Sequence, residues 1–240
     1  MTFQNQGGGF GPPTGAQPFP GTRADSAVQG AFLTQAFFWM FAGLLVTAAV
    51  AAFAQFNPAL LRFTANNFLI LIIAQLGLAI GIQWGISRIN ATIALALFFV
   101  YAASLGLTIG LIVGYYKGPS VATAFLSASA MFGAAALYGY TTKRNLAGIG
   151  GMAYMAMFGL FVAFIVNFFL GSSVISYVLS FAGVIIFTIL TAWDVQRISS
   201  GQLVQQLGSV EKAAVIGALH LYLDFVNLFL FLLRLFGSRR

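Results

Sequence analysis

The chain has 240 residues, 60% of them hydrophobic and only 6% charged, with a mean hydropathy of +0.94. A soluble domain carries about a quarter charged residues, so this chain has too little polar surface to cover a globule. A cytosolic enzyme, a nucleic-acid-binding module and a disordered chain are excluded together, which leaves an integral membrane protein.

In chain order, residues 1–30 come first and hold four of the six prolines, together with the run Gly7-Gly8-Gly9-Phe10-Gly11-Pro12-Pro13. Such a segment buries too little apolar area to offset its ordering entropy. It is expected to be a flexible, disordered N-terminal tail ahead of a transmembrane domain over 31–240. No basic stretch followed by a short apolar core marks a cleavable signal peptide.

A helix needs about 20 apolar residues to cross about 30 Å of hydrocarbon. Six runs meet that requirement: 32–56, 68–86, 91–116, 119–140, 146–170 and 174–193. A seventh, 213–236, is long enough but carries His220, Asp224, Asn227 and Arg234. Pro58 and Pro119 fall at loop or helix-start positions, where a missing N–H costs nothing. The expected fold class is all-α, a polytopic membrane protein with seven transmembrane helices.

Basic residues stand singly between the apolar runs, as loop charges do, so the pI near 10 does not indicate nucleic-acid binding. If all seven segments cross, Arg23, Arg88, Lys143, Arg144, Arg197 and Lys212 share one side of the membrane, and Arg62, Lys117, Arg239 and Arg240 the other. Six against four favours a cytoplasmic N-terminus. Were the seventh segment re-entrant, Arg239 and Arg240 would join the first side.

Gly77, Gly81 and Gly85 in the second run, and Gly106, Gly110 and Gly114 in the third, repeat every four residues. Small residues on one face let backbones approach closely in lipid, so both stripes are expected to pack against neighbouring helices.

The acids carry the chemistry. There are only four, Asp25, Asp194, Glu211 and Asp224, against 11 Lys and Arg. Asp224 lies near the middle of the last run, where an ionised carboxylate costs about 2.5–3.5 kcal/mol and must face the bundle interior. At about 100° per residue, His220, Asn227, Phe231 and Arg234 fall within about 80° of Asp224. The opposite face, with Val226, Leu230 and Leu233, is apolar. Asp194 ends the sixth run, with Thr191 and Arg197 three residues to either side on roughly one face.

Consecutive helices tend to be neighbours, so the two carboxylates are expected to meet and titrate as a unit. Such a pair can hold a proton, accept a guanidinium or offer oxygens to Ca²⁺. Asp194 could instead simply pair with Arg197. Two carboxylates are too few for a tight calcium site, which takes 6–8 oxygens, so Asp194 and Asp224 suit a weak Ca²⁺ transit site. With one His and no Cys, the usual zinc ligands are missing and no cofactor is expected. An intramembrane aspartyl protease needs a glycine-framed aspartate that Leu221-Tyr222-Leu223 does not supply, and no Ser forms a nucleophile elbow with His220. No enzymic activity is expected.

Three stretches resemble the bacterial branch of the Bax inhibitor-1 family, the transmembrane Bax inhibitor motif proteins. They are Tyr138-Gly139-Tyr140-Thr141-Thr142-Lys143-Arg144-Asn145-Leu146, Thr191-Ala192-Trp193-Asp194-Val195-Gln196-Arg197-Ile198 and Leu221-Tyr222-Leu223-Asp224-Phe225-Val226-Asn227-Leu228-Phe229-Leu230. Ile86-Ser87-Arg88-Ile89 ahead of a Phe- and Gly-rich helix is also similar to that family. The likeness runs from about Gln29 to the C-terminus.

The resemblance implies six helices around a central last one, and an aspartate pair, here Asp194 and Asp224, that senses pH and gates a calcium leak. It also implies an arginine that latches the pair, for which Arg62, Arg197 and Arg234 compete. The chain departs from the family in carrying Trp193 where Tyr is frequent, Asn145 where many members have Asp, and Gln75 where many have Glu.

The expected function is a pH-sensitive calcium leak channel of the bacterial inner (plasma) membrane, with Ca²⁺ as the permeant ion and the lipid membrane as its surroundings. The alternative is a non-transporting membrane regulator that binds a membrane protease or other stress-response membrane proteins, as some relatives do. Residues 1–30 would then fit a partner contact.

Overall fold

The computed structural model describes residues 24–238, with side chains from Gly30 onward. The tail read over 1–30 lies, for residues 1–23, outside the described residues. The chain is all-helical in the order α1 (Ala24–Gln55), α2 (Pro58–Asn66), α3 (Phe68–Gly85), α4 (Ala91–Gly114), α5 (Gly118–Thr141), α6 (Ala147–Leu170), α7 (Ser173–Ser199), α8 (Gln202–Leu207) and α9 (Val210–Phe236). Seven of these are long and apolar enough to cross a membrane, all except α2 and α8. The molecule is a polytopic helical membrane protein.

Helix starts follow local chemistry. Asn57, Asn90, Ser172 and Ser209 each accept a hydrogen bond from the backbone N–H three residues on, at 3.2, 2.8, 3.3 and 3.2 Å. This satisfies an otherwise orphaned helix-terminal donor. Pro58 opens α2, where its missing N–H is harmless. Gly201 at φ 72° and Gly208 at φ 64° stand either side of α8. That left-handed backbone favours glycine, and the two bends return the chain from α7 into α9.

α9 is the axis of the bundle. It packs along α1, α4, α5 and α7, while α3 leans mainly on α4 and α6 on α7. The last helix is central, as expected: α1, α4, α5 and α7 line it along its length, and α3 and α6 touch it as well. Gln83 of α3 meets His220 at 3.3 Å, and Phe164 of α6 stacks on Phe231 at 5.7 Å. Val226 and Leu233, on the apolar face of α9, are buried as well.

The seventh segment crosses fully. Near its start, Lys212 Nζ donates to Ser87 O at 3.4 Å, beside the end of α3. Beyond its end, Ser238 N donates to Ser120 Oγ at 3.1 Å and Lys117 N to Ser238 O at 3.0 Å, at the start of α5. Ser87 and Lys117 lie at opposite ends of α4, and 27 residues of helix span about 40 Å. A helix of this length reaching both ends of the bundle does not fit the re-entrant alternative.

Only one glycine stripe packs as expected. A Cβ added at Gly106 would lie 2.8 Å from Thr47 O and one at Gly110 3.0 Å from Ala51 O, so α4 and α1 approach through these residues. Around Gly77, Gly81 and Gly85 nothing lies within 4 Å of an added Cβ. α3 instead buries Gln75, Ala79 and Ile82. Gln75 Nε2 donates to Ser104 O and Thr108 Oγ1, both at 2.9 Å. An amide can donate these bonds, whereas an ionised carboxylate could only accept.

Candidate functional site: a buried carboxylate cluster between α7 and α9

The last third of α7 presents Thr191, Asp194 and Arg197 at three-residue intervals. α9 presents His220 and Asp224 one turn apart. The two helices pack along each other, and two glycines bring neighbouring helices tight against α7 at this level. A Cβ at Gly139 of α5 would stand 2.1 Å from Ala192 O, and one at Gly150 of α6 2.2 Å from the Trp193 ring. Gln196 then clamps the α5–α6 turn: its Oε1 accepts from Leu146 N and its Nε2 donates to Arg144 O, both at 2.8 Å. The motif residues around 138–146 thus brace the part of α7 that carries Asp194.

Asp194 is 8% exposed and Asp224 4%. Arg197 Nη1 donates to Asp194 Oδ1 at 3.1 Å, and its guanidinium lies 4.7 Å from the centre of the Trp193 ring. The helix-spaced pairing of Asp194 with Arg197 is therefore present, and it does not displace the second acid. His220 Nδ1 stands 3.6 Å from the same Asp194 oxygen.

On its other side, His220 Nε2 lies 3.3 Å from Gln83 Oε1. The tautomer protonated on Nε2 donates to that amide oxygen and turns the Nδ1 lone pair toward Asp194. At 3.6 Å this contact is longer than a hydrogen bond, and Nδ1 is buried without a partner. Asp224 is subject to the Asp194 carboxylate electrostatically and faces the Thr191 side chain. Its Oδ2 is buried without a hydrogen-bond partner, and such atoms are rare in native interiors.

Arg197 and His220 stand against Asp194, and Asp224 lies within its electrostatic reach beside Thr191. The other residues expected there do not join them. Asn227 Nδ2 donates to Leu223 O of its own helix at 2.8 Å. The Arg234 guanidinium lies over the Phe164 ring at 5.0 Å, toward the far end of α9. Arg62 is exposed on α2, in the turn between α1 and α3 at the opposite end from Ser87. Of the three competing arginines, Arg197 is the one at the carboxylates. Gln83 and the Trp193 platform were not anticipated as partners, although Gln83 carried the same signal as Asp224, a polar group inside an apolar run. Among the described residues no three His, Cys, Asp or Glu side chains group to hold a metal ion.

A bundle of seven membrane-length helices, with α9 buried at its centre and two buried aspartates on α7 and α9, defines a multi-pass membrane protein with buried ionisable groups. The family described as "Inhibitor of apoptosis-promoting Bax1" matches residues 29–240. The chain is 43% identical over 229 residues to the inner membrane protein YbhL of Escherichia coli K12, covering 91% of this chain and 98% of that protein. It is 40% identical over 209 residues to an uncharacterized protein of Deinococcus radiodurans, covering 87% and 90% of the two chains. The uncharacterized protein RP147 of Rickettsia prowazekii is 40% identical over 181 residues, covering 75% and 77%. The chain belongs to the Bax inhibitor-1 family.

Proposed function

We propose that the protein is a pH-sensitive calcium leak channel of the bacterial inner membrane, gated at the Asp194–Asp224 pair. The observation that carries this reading is the burial of two carboxylates on the packed helices α7 and α9, one with an unpartnered oxygen, in a chain with only four acids. Ionisable groups at membrane depth are costly and mark ion or proton pathways. The inner-membrane setting follows the name of the E. coli relative.

Arg197 on Asp194 is the closed latch in this reading. Protons and Ca²⁺ compete with the guanidinium for the same carboxylate oxygens. Because hard cations are held by oxygen ligands, two acids and the Thr191 hydroxyl suffice for transit and not for storage. The chain acts without catalytic machinery or a resident cofactor, and Ca²⁺ is cargo.

Calcium flux into dye-loaded proteoliposomes, measured across a pH series, tests the reading. Flux that varies with pH in the wild type and loses that variation in Asp194→Asn and Asp224→Asn supports it. Wild-type flux indifferent to pH, or variants with unchanged profiles, would sink it.

A further inference from the structure

At the far end of the bundle from the cluster, α1 and α5 stand apart and leave a cleft of about 500 Å³. Ala48 and Ala52 of α1 and Val121 and Ala122 of α5 form its walls, and Phe225 and Phe229 of α9 form its floor. The lining runs from Leu44 to Gln55 along α1, about 16 Å at 1.5 Å per residue. Ala48, Ala52 and Ala122 are exposed on the surface that faces the bilayer.

Two polar side chains of the lining, Thr47 and Gln55, are bonded within the protein. Thr47 Oγ1 is bonded to Ala102 O at 2.9 Å and to the Tyr222 hydroxyl at 2.6 Å, and Gln55 Nε2 donates to Gly110 O. Such a lining favours an apolar occupant over water.

The open end is positive. Tyr116 and Gly118 line it, and exposed Lys117 lies between them in sequence at the start of the 24-residue helix α5. A helix N-terminus adds partial positive charge there.

We propose that this cleft is a binding site for an anionic membrane phospholipid, one acyl chain lying between α1 and α5 and the head group at Lys117. The apolar length, the internally bonded Thr47 and Gln55 and the cationic mouth each match one part of that molecule. Against its floor the chain touches α9, the helix that carries Asp224.

Native mass spectrometry of the full chain released from detergent tests this, with dioleoylphosphatidylglycerol and dioleoylphosphatidylcholine as probes. The wild type retains one phosphatidylglycerol, with about fivefold preference over phosphatidylcholine, the value of one cation near an anionic head group. Ala48→Trp and Ala122→Trp fill the cleft from opposite walls and lose the retained lipid with the thermal midpoint held. Lys117→Gln keeps a bound lipid and levels the preference. Lipid counts unchanged in both tryptophan variants, equal retention of the two lipids by the wild type, or a cleft-dependent dimer in place of a lipid adduct would each overturn the proposal.

Discussion

The two halves of α9 follow opposite rules. From Ala213 to Asp224 the helix sets His220 and Asp224 against Asp194, Thr191 and Gln83. From Phe225 onward it sets aromatic rings against aromatic rings: Phe225 on Phe125 and Phe132, and Phe231 on Phe164 and Phe187, all with centroids 5.5–5.7 Å apart. Ring packing has one good arrangement. A cluster of two acids, a histidine and an arginine has several, which differ by where protons sit. The apolar half therefore fixes the helix, and the polar half is where its state can change.

The largest effect should come from breaking the apolar half. Phe231 is buried, stacks on Phe164 and occupies space that Gly183 leaves open, where an added Cβ would lie 2.6 Å from its ring. Phe231→Ala should cost about 3–5 kcal/mol of stability, as aromatic truncations in packed interiors do. Thermal unfolding in detergent micelles would measure it. The loss should be the same at every pH, since no ionisable group touches the ring. A loss that changes with pH would mean that the two halves are not separable.

Next comes the latch. Arg197→Met keeps most of the side-chain volume and leaves the buried Asp194 oxygen without its cation, a change worth about 1–3 kcal/mol. Adding Asp194→Asn should recover much of that loss, because the amide needs no counter-charge. A double-mutant cycle reads the coupling. Losses that simply add would show that the 3.1 Å contact carries no energy.

Asp224→Asn should move stability less, by about 1 kcal/mol or under, since the amide is nearly the same size and replaces a carboxyl that already has an unpartnered oxygen. Its functional effect should exceed its structural one: the pH dependence of calcium flux flattens while the unfolding midpoint stays put. Flux that keeps its pH profile in this variant would overturn gating at the Asp194–Asp224 pair.

Much of this arrangement is written in the sequence. The seven crossings follow from runs of apolar residues that only lipid or a helical interior accommodates, and Pro58 and Pro119 sit at or beside the first residue of helices. What was not legible depends on rotation about a helix axis. α7 runs to Ser199, past the Trp193 expected to end it, because polar residues beyond the hydrocarbon do not stop a helix. α2 and α8 are short and lack an apolar run to announce them. The two glycine stripes have identical spacing; one lies against α1 and the other meets nothing, since spacing shows which face is small and not what covers it. Within the site, residues on one helix could be grouped by angle, so Asp224 with His220 and Asp194 with Arg197 were readable. Gln83 reaches His220 from a helix that packs mainly on α4, and no periodicity of α9 contains that.

The smallest effect concerns the platform under the latch. Trp193 offers its face to Arg197 at 4.7 Å, an interaction worth about 0.5–1 kcal/mol at a partly exposed site. Trp193→Leu removes the face, and Trp193→Tyr keeps an aromatic one. Raw stability cannot separate the two roles of this residue, because Gly150 is packed against the same ring and any smaller side chain also leaves a void there. The coupling between position 193 and Arg197 isolates the stacking. In a cycle with Arg197→Met, Trp193→Leu should lose the coupling and Trp193→Tyr should retain most of it. Equal coupling for Leu and Tyr would reduce Trp193 to a packing residue, leaving Asp194 alone to hold the guanidinium in place.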